Sequence, residues 1–189
     1  TRVVIAEDEA IIRLDLKETL EEEGYEVVGE TGRGDEAVEL VKQHAPDVAI
    51  LDIKMPGLDG LSAAREIAGE RRAAVLILTA FSQRDLVEQA RDAGALAYLV
   101  KPFQRSELIP AVEVAIGRFR ELRALAEQNQ SLEDQLETRK LVDRAKGKLM
   151  DEHHLAEADA FAFVQKTAMR ERLTMKAVAE RVLAGELAP

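Results

Sequence analysis

Short apolar runs alternate with helix-period segments through the first hundred or so residues. Val3 to Ala6, Tyr25 to Gly29, Val48 to Leu51, Ala74 to Thr79 and Ala97 to Val100 are rich in Val, Ile, Leu and Ala. Apolar runs this short, without polar alternation, suit strands buried on both faces. Between them, Ile11, Ile12, Leu14, Leu16 and Leu20 predict a helix with this set turned inward, closed by Gly24. Asp35 to Gln43, Leu61 to Ile67 and Asp85 to Asp92 predict three more helices, the last closed by Gly94. Strands alternating with helices predict an α/β domain with a five-stranded parallel sheet covered on both faces.

From Glu107 the pattern is that of one long helix, with Pro110 early enough to be tolerated. Beyond Val112, Ile116 and Phe119, the residues Leu122, Leu125, Asn129, Leu132 and Leu136 step by three, four, three and four. This is an a/d seam with an amide at an a position, where it can fix register in a parallel homodimer. A solvated linker helix packed on its own C-terminal domain is the other reading. Three further helical segments follow. Thr138 to Met150 carries Leu141, Val142, Ala145 and Leu149, and Leu155 to Met169 carries Phe161, Val164 and Ala168 inward. Thr174 caps the third, with Val178, Val182 and Leu183. The expected organisation is an α/β domain over residues 1–120, a helical linker over 121–136 and a small all-α three-helix bundle over 137–189.

The absence of cysteine excludes disulfides, thiolate metal sites and thiol nucleophiles. No apolar run reaches membrane-spanning length, and Thr1-Arg2-Val3-Val4-Ile5 reads as a strand, not a signal peptide, so a cytoplasmic protein with no membrane partner is expected. The net charge of −10 argues against nonspecific polyanion binding by the whole surface. It is uneven: residues 1–135 hold 16 Lys+Arg against 27 Asp+Glu, and residues 136–189 hold 10 against 9. Two parts with different partners follow from that asymmetry.

The strand ends carry the chemistry. Glu7 and Asp8 end the first strand, Asp52 the third, Thr79 the fourth and Lys101 the fifth. Taken alone, an acid at a strand end also suits a residue that opens the next turn. In a parallel sheet, however, all five gather at one edge, where ligands of open α/β sheets bind. Clustered carboxylates demand a cation, and oxygen-only ligands suit Mg²⁺. A carboxylate there can act as nucleophile toward a phosphoryl group, with Lys101 neutralising the transferred oxygens and Thr79 donating to one of them.

The acid pair, Leu51-Asp52-Ile53-Lys54-Met55-Pro56-Gly57-Leu58-Asp59-Gly60, Leu78-Thr79-Ala80 and Tyr98-Leu99-Val100-Lys101-Pro102-Phe103 resemble response-regulator receiver domains. The resemblance spans about residues 2–120 and implies the flavodoxin-like strand order 2-1-3-4-5, for which a chemotaxis regulator of this family is a known example. It also implies a histidine kinase that phosphorylates Asp52, metal ligands at Glu7, Asp8 and Asp52, and a switch role for Tyr98 with Thr79. The family usually has two aspartates where this chain has Glu7-Asp8, and the longer side chain suits metal contact through water.

In the C-terminal part, Lys140, Arg144 and Lys148 form a basic stripe at helical spacing, with Gly147 at its edge and Arg139 and Lys146 on the other side of the apolar face. A glycine inside a helix costs about 1 kcal/mol against alanine, so it suits a place of close backbone approach; a solvated charged face with a tolerated glycine fits the same residues. Arg139, the run Arg144-Ala145-Lys146-Gly147-Lys148-Leu149-Met150, Ala160-Phe161 and Val178-Ala179 resemble the ANTAR domain, an RNA-binding antitermination module, over about residues 130–187. That resemblance implies binding to RNA hairpins in nascent transcripts through Arg139, Lys140, Arg144, Lys146, Gly147 and Lys148, with Arg170, Arg172 and Lys176 as further contacts. Phe161 and Phe163 suit stacking platforms for RNA bases, but the helical setting of Phe161 places it in the core, and His153-His154 with Glu157 lacks metal-ligand spacing. The expected function is a two-component response regulator, not an enzyme turning over an external substrate, whose Asp52 phosphorylation controls RNA binding and transcription antitermination. A phosphorylation-dependent protein–protein adaptor is the alternative, and a Mg²⁺-dependent phosphatase fits less well for want of a second general acid.

Overall fold

The computed structural model describes residues 1–80 and 84–189, Arg84 by its backbone alone. Five strands, β1 (Arg2–Ala6), β2 (Glu26–Thr31), β3 (Val48–Asp52), β4 (Ala74–Thr79) and β5 (Ala97–Val100), form a parallel sheet in the order β2-β1-β3-β4-β5. Helices α1 (Ala10–Glu22), α2 (Gly34–His44), α3 (Gly60–Gly69) and α4 (Arg84–Asp92) connect them. This is the flavodoxin-like doubly wound arrangement.

Period-two alternation sends neighbouring strand residues to opposite faces. Val4, Ala6, Ala49, Leu51, Val75 and Ile77 pack with α2 and α3 on one side. Val3, Ile5, Val48, Ile50, Leu76 and Leu78 pack with α1 and with Leu108, Val112 and Ile116 on the other. Both faces are covered, so the strands carry no polar alternation. In register, Ala6 lies beside Leu51, Asp52 beside Leu78, and Thr79 beside Val100. The strands therefore finish level, and the residues at their carboxyl ends share one edge.

One expected face needs correction. Leu16 and Leu20 of α1 are buried, but Ile11 is 85% exposed and Leu14 is exposed as well. They stand on the other side of the helix from Leu16 and Leu20, because only residues three or four apart share a side.

Helix α5 runs from Arg105 to His153 without a break and contains Pro110. The linker and the first bundle helix are thus one element, and the chain divides into compact units within it, Thr1–Ala124 and Leu125–Pro189. In the second unit, α6 (Glu157–Glu171) and α7 (Met175–Leu183) pack on the end of α5. Leu149, Val164, Val178 and Val182 form the centre of that core. Thr174 caps α7 by accepting from the Ala177 N–H at 3.2 Å. Along α5, Leu122, Leu125, Leu132 and Leu136 are each more than half exposed.

Leu149→Ala should destabilise the C-terminal unit by about 2–5 kcal/mol, whereas Met169→Ala, at a side chain 75% exposed, should stay within about 0.5 kcal/mol. Chemical denaturation followed by far-UV circular dichroism measures both.

Candidate functional site

The residues after β1 are fixed through their backbone. The Glu7 N–H donates to the Thr31 carbonyl at 3.0 Å, and the Arg13 guanidinium donates to the Glu7 carbonyl at 2.5 Å. The Glu7 side chain is fully buried. Its Oε1 accepts from the Glu9 N–H at 3.2 Å and its Oε2 from Lys101 Nζ at 2.5 Å. Lys101 Nζ also lies 3.1 Å from Asp52 Oδ1. Asp52 is the last residue of β3 and is buried, whereas Asp8 is exposed. One carboxylate oxygen from each of Glu7, Asp8 and Asp52 falls within a 4.8 Å group.

Formal charge defines what this cluster lacks. Three carboxylates and one ammonium leave −2, the charge that one divalent cation cancels. The donors are all oxygen, which suits a hard cation such as Mg²⁺. Burial, helped by the nearby Asp52 charge, pushes the Glu7 carboxyl above its ordinary value despite the opposing hydrogen bond from Lys101. Burial alone would pull the Lys101 ammonium down, but its bonds to Glu7 and Asp52 outweigh it and hold the group above its usual value.

Thr79 ends β4 and is buried, and its carbonyl accepts from the Lys101 N–H at 2.7 Å. Asp8, Asp52, Thr79 and Lys101 border a cavity of about 510 Å³ that also reaches Asp85 and Gln89 of α4. Tyr98 lies elsewhere. It is 48% exposed and borders a separate cavity of about 480 Å³ with Val87, Ala111 and Val114. Four of the five strand-end residues thus meet in one cavity and Glu7 backs it, while the tyrosine faces outward.

Two glycines hold this loop. The Gly60 N–H donates to the Ile53 carbonyl at 2.9 Å, and a Cβ on Gly60 would stand 1.9 Å from the Asp52 carbonyl oxygen. A Cβ on Gly34 would stand 1.9 Å from the Leu58 carbonyl oxygen. Asp59 caps α3 between them by accepting from the Ser62 N–H at 2.9 Å. The sequence signal was Asp59-Gly60 opening a helix, where glycine leads to no obvious turn.

The basic residues of the second unit divide into two groups. Arg139, Lys140, Arg144 and Arg172 are exposed, and among the described residues none has an ion pair within 4.0 Å. Arg172 is the left-handed C-cap of α6. The others are engaged. Lys146 pairs with Asp143 and with Glu157, each at 2.9 Å, Lys176 pairs with Glu137 at 2.6 Å, and Arg170 pairs with Glu171 at 3.3 Å. Lys148 Nζ donates to the Leu183 carbonyl at 3.0 Å, at the end of α7. A Cβ on Gly147 would meet nothing within 4 Å, so no packing inside the protein demands that glycine. Phe161 is a correction: it is 42% exposed rather than core, while Phe163 packs against the bundle. The core positions of α6 are Ala160, Val164 and Ala168; Phe161, three residues before Val164, stands at the edge of that side and stays half-exposed.

Residues 3–113 match the response regulator receiver domain, and residues 130–183 match the ANTAR domain. The transcriptional regulatory protein PdtaR of Mycobacterium tuberculosis is 62% identical over 182 residues, spanning 96% of this chain and 89% of that protein. The chain belongs to the ANTAR-type response regulators. Its receiver domain is also 40% identical to the chemotaxis protein CheY of Thermotoga maritima over 112 residues, 59% of this chain and 93% of CheY. Among solved structures, the receiver domain of NarL from M. tuberculosis superposes with a TM-score of 0.59 at 36% identity, covering 61% of this chain and 95% of that one. A CheX–CheY complex from Borrelia burgdorferi containing BeF3 and Mg²⁺ matches with a TM-score of 0.56 at 28% identity, over 59% of this chain and 85% of that one. Receiver domains bind Mg²⁺ at an acidic pocket, and Glu7, Asp8 and Asp52 form the acidic cluster of this response regulator. No described helix is long and apolar enough to cross a membrane.

Gly60→Ala should cost about 1–3 kcal/mol, the range for overpacking, because its Cβ would displace the backbone of Asp52. Urea denaturation of the variant measures the loss.

Proposed function

We propose that a histidine kinase phosphorylates Asp52 and that the added charge controls hairpin-RNA binding by the ANTAR domain, and through it transcription antitermination. The observation that carries this reading is Lys101 Nζ within ion-pair distance of both Asp52 and the buried Glu7 at one edge of the sheet. Asp52 attacks the phosphorus of the kinase's phosphohistidine. A P–O bond forms as the P–N bond breaks, and the imidazole keeps that electron pair and takes up a proton. Lys101 moves onto the transferred oxygens and the Thr79 hydroxyl donates to one of them, while Tyr98 turns from its exposed position toward Thr79. Mg²⁺ held by Glu7, Asp8 and Asp52 would offset the charge on those oxygens.

Phosphorylation adds about −1.5 to −2 charge at this edge. In the ANTAR domain, the exposed and unpaired Lys140 and Arg144, one turn apart, are the first candidates to meet RNA phosphates, and the equally exposed Arg139 and Arg172 are further contacts. Lys146, Lys176 and Arg170 must first leave their carboxylate partners. The exposed leucines of α5 support a homodimer through the a/d seam.

Acetyl phosphate with Mg²⁺ should label the wild type on Asp52, and Asp52→Asn or chelation should abolish the label. In gel shifts with hairpin RNA, phosphorylation should change affinity by about 5–150-fold, the usual span of such coupling. RNA binding that ignores Asp52→Asn would remove the control mechanism. Lys140→Ala and Arg144→Ala should each weaken binding to all sequences alike and flatten the log–log salt dependence by about 1. Binding indifferent to salt and to both substitutions would favour a protein–protein adaptor instead.

A further inference from the structure

The ANTAR-side unit contains a cavity of about 880 Å³ that the reading above leaves without a role. Its floor is one side of α5. Val142, Ala145 and Leu149 on that side are buried in the bundle core. One to three turns earlier, at the same helical spacing, the side continues as Thr138, Asp134 and Ser131, which line the cavity. The side changes from apolar to hydrogen-bonding where the core stops. Phe161 borders the cavity at that point, and Arg139 stands at its rim.

The charge of the wall decides what can enter. Glu127, Asp134 and Asp143 line it together with Arg139 and Lys146; Lys146 pairs with Asp143 at 2.9 Å, whereas the carboxylate of Asp134 can accept from the N–H groups of a nucleobase. Gln130 donates to Asp134 at 3.2 Å, and Gln135 donates to Ser131 at 3.4 Å. Each amide thus spends one N–H on its own helix and keeps a second N–H and its carbonyl oxygen, whereas Asp134 can only accept. A half-exposed phenyl ring beside such a wall matches the stacking and edge contacts by which proteins hold unpaired RNA bases.

We propose that this groove takes one unpaired base of the bound RNA, stacked on Phe161, and selects bases bearing an exocyclic amino group through the carboxylate of Asp134. Arg139 holds the adjoining phosphate. The inference rests on the RNA-binding reading above and assigns that site its base-reading pocket. Uracil, whose edge offers two carbonyl oxygens and a single N–H, is disfavoured beside the carboxylate of Asp134.

The test uses the full chain and a two-hairpin RNA taken as a binder from a pool with randomised loops. Each loop nucleotide is made abasic in turn, and binding is measured with wild type and Phe161→Ala. At one loop position the abasic RNA should lose about tenfold in affinity, and Phe161→Ala should lose as much. The two changes together should lose no more than either alone, because they remove the same stack. Phe161→Tyr should retain affinity, Asp134→Ala should narrow the preference over uracil at that position, and circular dichroism confirms that the variants fold. Losses that multiply, or RNA binding unchanged by Phe161→Ala, would overturn the pocket while leaving RNA binding intact. Failure of the wild type to select any RNA from the pool would instead overturn the RNA-binding reading itself.

Discussion

Three carboxylates held at one edge of a sheet repel one another, and the receiver domain is arranged around containing that repulsion. Glu7 is buried and Asp52 nearly so, so their charges are poorly screened by water. Lys101 bridges them, 2.5 Å from one and 3.1 Å from the other. The bridge stabilises only part of the charge, and the remaining formal −2 makes the edge receptive to a divalent cation. Breaking the bridge by removing Lys101 would leave the buried Glu7 carboxylate with only the Glu9 N–H and no cation, which is the costly way to dismantle such a pair.

That arrangement follows from strand register. Parallel strands that finish level place Ala6, Asp52, Thr79 and Val100 along one line, and the residues just beyond β1 and β5 join them. The site needs no long-range coincidence beyond the sheet itself. Gly60 then lets α3 start directly against the backbone of Asp52. The loop that carries the acid is therefore packed rather than free, which suits a group that must present one oxygen in a fixed direction.

The parallel sheet and the meeting of Asp8, Asp52, Thr79 and Lys101 were legible in the sequence, because buried parallel strands leave unbroken apolar runs and polar residues mark where each run ends; the strand order followed from the resemblance to receiver domains. Side chains on helices were less legible. Ile11 and Leu14 share α1 with Leu16 and Leu20, and spacings of three and four residues drifted between two sides of the helix. Phe161 was placed inside because an aromatic beside alanine and valine resembles core, yet small residues fill α6's core side at Ala160, Val164 and Ala168. The close approaches at Gly34 and Gly60 leave no mark in residue type beyond the glycine itself. Ion pairs such as Lys146 with Glu157 join helices whose facing depends on the bundle, so the division of the basic residues into free and engaged groups emerges only from coordinates.

Lys148 shows what that division means for interpreting a basic surface. Its ammonium sits on a carbonyl at the end of α7, where a cation offsets the partial negative charge of the helix terminus. An alanine there would remove the hydrogen bond to the Leu183 carbonyl and leave Arg181 as the cation of that turn, and any drop in ligand affinity would be confounded with a loosened domain. A neutral donor of similar reach, glutamine, separates the two: it can still satisfy the carbonyl while abolishing the positive charge, so only a charge-dependent role would suffer.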